Sequence, residues 1–211
     1  MKTIFWTLLM SIPVMSPSAF ADDNTTATNQ MMTPLLTQDF VTKATWAGEK
    51  EIAMGQMAME KSQDASVTNF AARMVRDHSR ANERLIHLAG GEGLSYPPTN
   101  SFAPEYWQGV DVENFKGMQA TALMQNYSGT NADYMMAKYL SSLSGSDFDH
   151  AYADCCVADH TNAVQLFTDA SQTLQDKDLK RFAKKTLPTL QDHYRMAVDM
   201  QNEVSTNSAG K

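Results

Sequence analysis

The chain has 211 residues and a formal net charge of -7, from 17 Lys plus Arg against 24 Asp plus Glu. That length suits one domain, and 43% hydrophobic with 19% charged residues excludes a chain disordered throughout. No basic run occurs, so the electrostatic footprint of a nucleic-acid binder is missing and no nucleic-acid partner is expected.

Residues 1–21 read as a leader. Lys2 precedes a mostly apolar stretch from Ile4 to Val14, and Ala19-Phe20-Ala21 supplies a small-x-small cleavage pattern before Asp22. The stretch is short for a bilayer span and Pro13 interrupts it. No Cys follows it, so no lipid anchor is indicated. No later segment is apolar enough to cross a membrane. The expected compartment is the periplasm, with outer-membrane association or secretion left open.

Residues 22–36 are rich in Asp, Asn, Thr, Gln and Met, and read as an unstructured tether. A bundle is expected over residues 37–204. Its first helix should start at Thr37 or Gln38 and end near Ser62, with an inner face of Ala44, Ala47, Gly48, Glu51, Met54, Gly55 and Ala58. Asp64 or Ser66 can cap a second helix running to about Ala89, whose stripe is Val67, Phe70, Ala71, Met74, His78, Ala81, Leu85 and Leu88. Gly90, Gly91 and Gly93 stop it. Residues 91–146 form a long crossover. Val112, Phe115, Met118, Ala122 and Gln125 hint at one helix in it, and Ala132, Met135, Met136, Tyr139, Leu140 and Leu143 at another. A third long helix should run from about Asp147 to Thr173, and a fourth from about Asp178 to Val204, kinked at Pro188. Ser205 to Lys211 reads as a frayed tail. No strand pattern occurs. Two helical hairpins joined by a long crossover make an all-α, ferritin-like four-helix bundle.

The histidines carry the chemical signal. His78, His160 and His193 each fall on an inward stripe of a different long helix, and Glu51 lies on the inner face of the remaining one. In a helical hairpin, residues equidistant from the turn share a height. The midpoint of Glu51 and His78 falls in the Gln63–Ser66 turn, and that of His160 and His193 in the Asp176–Asp178 turn. All four side chains are therefore expected to meet mid-bundle. Three imidazoles and a carboxylate suit one transition metal ion, with iron, manganese, copper and zinc all open. Four of the five histidines follow an aspartate. Neighbours on a helix point about 100° apart, so each Asp should face another helix or solvent. The Glu-x-x-His pattern of diiron ferritins does not occur, which disfavours a diiron oxidase.

Met54, Met57, Met59 and Met74 lie near the same level, as soft copper ligands or as core filler. Cys155 and Cys156 are adjacent, a geometry that strains an internal disulfide. They read as small apolar helix residues, as an intermolecular disulfide, or as soft-metal donors. Hydrolase, NTPase and Cys-x-x-Cys redox signatures are absent.

Five stretches in order carry a resemblance: Ala47-Gly48-Glu49-Lys50-Glu51-Ile52, Phe70-Ala71-Ala72-Arg73-Met74-Val75-Arg76-Asp77-His78, Phe148-Asp149-His150-Ala151-Tyr152, Val157-Ala158-Asp159-His160 and Leu187-Pro188-Thr189-Leu190-Gln191-Asp192-His193. Over residues 38–203 the chain resembles the bacterial exported ferritin-like domain of unknown function once labelled "predicted outer membrane protein". The resemblance implies a four-helix ferritin-like fold and no established activity. It carries over Glu51, Asp77, His78, Asp149, Tyr152, His160 and His193. The crossover here looks longer than the family's, and Cys155-Cys156 stands where apolar residues are usual.

Two functional classes follow. One is an envelope protein holding one metal ion in its core, in stress defence. The other is a metal-free structural or protein-interaction module. An oxidase or peroxidase would need an open metal position, which a sequence does not display. Protein partners and oligomeric state are left open.

Overall fold

The computed structural model describes residues 24–107 and 130–209. Among them lie α1 (Asn24–Lys61), α2 (Ala65–Gly91), α3 (Pro104–Trp107), α4 (Thr130–Ser142), α5 (Gly145–Thr173) and α6 (Lys177–Ala209), with no strand. α1 and α2 form one hairpin and α5 and α6 the other. The two hairpins pack as a four-helix bundle, and α3 and α4 belong to the crossover between them, the ferritin-like arrangement. The leader, the helix suggested around residues 112–125, and the last two residues lie outside the described residues. Among the described residues, no helix is long and apolar enough to cross a membrane.

Turn chemistry sets the hairpins. The Asp64 side chain accepts from the Ser66 N–H at 2.8 Å and so caps α2. Asp176 does the same for α6, accepting from the Asp178 and Leu179 N–H groups at 3.0 and 2.7 Å. Beyond α2, Gly93 takes φ +68°, which costs a glycine nothing.

Both ends of the bundle extend past expectation. α1 begins at Asn24, so residues 24–36 continue the helix instead of forming a tether. α6 likewise runs to Ala209 through the stretch expected to fray. The physical reason is cooperativity: once tertiary packing has nucleated a helix, each added residue gains one hydrogen bond. Composition judged a polar segment alone and missed the packed helix it continues. α6 also runs through Pro188, which lies on its exposed side.

α1 and α2 approach closely. A Cβ built on Gly55 would lie 2.9 Å from Val75 Cγ2 and 3.1 Å from the Ala71 carbonyl oxygen. Backbone cannot swing aside as a side-chain tip can, so Gly55→Val must push the helices apart. It should lower the unfolding free energy by about 1–3 kcal/mol despite better helix propensity, measurable by urea denaturation.

The core of the bundle divides into two apolar halves, and a third, smaller cluster of Phe102, Trp107 and Ala137 lies at the crossover. Met54, Phe70, Met74, Phe148, Tyr152 and Met200 belong to one, and Phe40, Leu85, Phe167, Leu179, Phe182 and Leu190 to the other. On every long helix the boundary between the halves falls at polar residues: Lys50 and Glu51, His78, His160 and His193. The bundle therefore carries one polar layer across its middle.

Candidate metal centre

His78, His160 and His193 are 8%, 1% and 1% exposed. Their ring centroids form a near-regular triangle: 5.7 Å from His78 to His160, 5.4 Å from His78 to His193, and 5.4 Å from His160 to His193. One ligand nitrogen from each lies within 4.8 Å of the other two. The three histidines are close enough to hold a metal ion.

Hydrogen bonding orients two of the rings. His160 Nδ1 lies 2.8 Å from the Cys156 carbonyl oxygen, which can only accept, so Nδ1 carries the proton. His160 Nε2 is left as a bare lone pair, buried and, among the described residues, without a partner. His193 Nε2 lies 3.1 Å from Asp77 Oδ2. Burial opposes ionisation of Asp77, but the bonds from His193, Arg76 and Arg73 outweigh it and hold the carboxyl below its ordinary range. An ionised Asp77 accepts from Nε2–H, which leaves His193 Nδ1 bare, and that atom too is buried and unpartnered. His78 Nε2 is the third such atom. Metal-bound histidines characteristically give their second N–H to a carboxylate or a carbonyl, and His193 and His160 have one of each.

Burial lowers the pKa of all three histidines. His160 falls to about 4. His78 falls well below its usual value, through burial and then the His160 and His193 rings. For His193, burial outweighs the support of Asp77. Neutral imidazoles are the metal-binding form.

Glu51 lies in the same layer but outside the triangle of nitrogens. It is 3% exposed, and its carboxyl meets the carboxyl of Asp159. Burial, then the charge of Asp159, raises its pKa well above the usual range. Counting from the turn fixes height along a hairpin and says nothing about direction across it. Glu51 faces a side cavity of about 400 Å³ that His78 and His160 also line, together with Lys50, Trp46 and Asp159.

Lys50 bridges Asp133 of α4 and Asp159 of α5 at 2.8 and 2.6 Å, and Trp46 Nε1 donates to Asp133 at 2.7 Å. Burial alone would lower the Lys50 pKa; the two carboxylates override it and push it further up. These contacts pin the crossover helix α4 over α1. Sequence reasoning did not single out Lys50, Asp133 or Trp46 as a unit. The one available signal was that the aspartate before a helical histidine points to a neighbouring helix. Asp77 does so toward α6 and Asp159 toward α1.

The remaining candidates sit elsewhere. His87 is exposed, and His150 lies outside the triangle. Met54 and Met74 are fully buried core residues, Met57 packs against the same core, and Met59 is 44% exposed. Cys155 and Cys156 are free and fully buried. Burial raises both thiols, which leaves them inert, and the fold gives them no access to an intermolecular disulfide. Tyr152 is fully buried with its hydroxyl against the Cys156 thiol, and one Asp149 carboxylate oxygen is unpartnered among the described residues.

No curated protein matches the sequence. Among solved structures, the chain is similar to a DUF305 protein from Streptomyces coelicolor described as secreted, with a TM-score of 0.58 and 17% identity over 81% of this chain and 94% of that one. At that identity the likeness speaks for the helical fold alone. Residues 21–200 match the family described as "Domain of unknown function (DUF4142)". The chain spans that domain across most of its length, and it belongs to the DUF4142 family.

Proposed function

We propose that this is an exported envelope protein that binds one transition metal ion in the middle of its helical bundle, through His78 Nε2, His160 Nε2 and His193 Nδ1. The observation that carries the reading is the set of three buried, unpartnered ring nitrogens. A buried polar atom without a partner costs about 1–3 kcal/mol, and three in one place are accounted for together by a single ion. An ion bonded at about 2 Å needs its donors roughly 3.3 Å apart. One nitrogen of each ring lies within 4.8 Å of the others, so small ring rotations close the set. An all-imidazole set with no thiolate suits zinc, copper or iron better than manganese, which favours oxygen.

Asp77 is the orienting group for His193. Asp77→Asn keeps the shape and loses the charge that makes the imidazole a stronger donor. It should weaken metal binding about 10–100-fold, read by competition against a chromophoric chelator. The reading itself is tested by elemental analysis of mature protein purified without an affinity tag. It expects close to one transition metal ion per chain. A metal-free protein that also takes up none on dialysis against zinc, copper or iron would leave the structural or interaction module as the better account.

A further inference from the structure

We propose that the cavity beside Glu51 admits a small anion, of the hydroxide, peroxide or azide class, to a fourth position on the ion held by the three histidines. The proposal rests on the metal reading and adds an open coordination position with a defined approach.

Direction comes first. His78 and His160 both line the cavity of about 400 Å³, and His193 does not. His193 sits where its ring meets Asp77, and a void of about 40 Å³ adjoins it there. Three protein ligands plus an approach from one side is the arrangement of metal sites that bind an exogenous molecule.

Charge comes second. Three neutral imidazoles leave the ion's charge uncompensated in a buried layer, and a buried charge demands a counter-charge. The nearby carboxylates are already engaged: Asp77 with Arg73 and Arg76, and Asp133 and Asp159 with Lys50. An anion at the fourth position supplies the missing charge.

The third argument is Glu51. Glu51 lines the cavity, and both of its carboxyl oxygens are buried. A ligand atom on the ion would come within reach of this carboxyl, which also faces Asp159. Size follows from access. His78 and His160 are only 8% and 1% exposed, so a ligand must be a few atoms across to reach between the rings.

The test uses the mature chain loaded with Co(II), whose visible bands report coordination, and sodium azide as the probe. Azide should shift the bands of the wild type saturably. Ala132 of α4 lines the cavity, and Ala132→Trp would fill part of it. It should leave the Co(II) spectrum unchanged without azide and weaken azide binding at least tenfold. Glu51→Ala should keep Co(II) and weaken azide about tenfold. A wild-type spectrum indifferent to azide would overturn the proposal, as would full azide binding by Ala132→Trp. An azide shift seen only in Glu51→Ala would mean that Glu51 itself fills the fourth position, and would overturn it too. Absence of Co(II) bands in the wild type removes the metal reading and this proposal together; normal bands without an azide response remove this proposal alone.

Discussion

A first-row transition ion at about 100 times its dissociation constant should raise the melting temperature of the protein by roughly 5–10 °C. Binding to the folded state alone contributes about 2.7 kcal/mol at that excess, and in a chain of this size each kcal/mol is worth about 2–4 °C. The triple change His78→Ala, His160→Ala and His193→Ala should abolish the rise. Deleting three buried rings also lowers the baseline stability, so the readout is the difference between metal and chelator, taken for each variant separately. His87→Ala and His150→Ala should keep the full rise, since neither belongs to the triangle of donor nitrogens.

The same histidines impose a pH dependence on the metal-free protein. The unfolded chain takes up protons near pH 6.5, while folded His160 resists them until about pH 4 and His78 and His193 also titrate low. Stability is therefore complete above about pH 6.5 and falls as the pH drops toward 4, because the unfolded state then binds more protons. For His160 the loss is about 3 kcal/mol across that window. The triple variant should show a flatter profile in chelator.

Lys50→Met should be the most damaging single substitution in the polar layer, costing about 3 kcal/mol. The lysine is 11% exposed and holds two carboxylates, at 2.8 and 2.6 Å. Removing one partner of a buried ion pair costs about 3–5 kcal/mol, because the remaining charge is left unpaired. Methionine replaces the volume of the stem and none of the charge, so the loss reads the electrostatics. The defect should be largest near neutral pH and shrink as the pH falls, since protonation of Asp159, whose carboxyl burial already raises, removes an unpaired charge. The double change Lys50→Met with Asp159→Asn should recover part of the loss, and urea melts at pH 7 and pH 5 in a double-mutant cycle would measure the coupling.

The heptad-like stripes of α2, α5 and α6 made the bundle legible, since Val67, Phe70, Met74 and Leu85 can share a helix face only at helical period. The polar layer was legible because a buried histidine on each of three helices is rare, and because distance from a turn converts to height. Direction across the bundle was not. Glu51 shares the layer but faces the side cavity, since its azimuth depends on how α1 rotates against α2 and α5. That rotation is set by contacts distant in sequence, among them the close approach at Gly55 and the Lys50 bridge to α4. The Trp46–Asp133–Lys50 cluster joins residues more than 80 positions apart, so no local pattern announced it.

X-ray absorption at the zinc edge of protein loaded with one equivalent of zinc tests the central claim most directly. The account expects about three imidazole nitrogens near 2.0–2.1 Å, with one further light-atom ligand and no sulfur. The signature should vanish in the triple histidine variant. A shell of sulfur near 2.3 Å, or of oxygens without the imidazole scattering pattern, would contradict it.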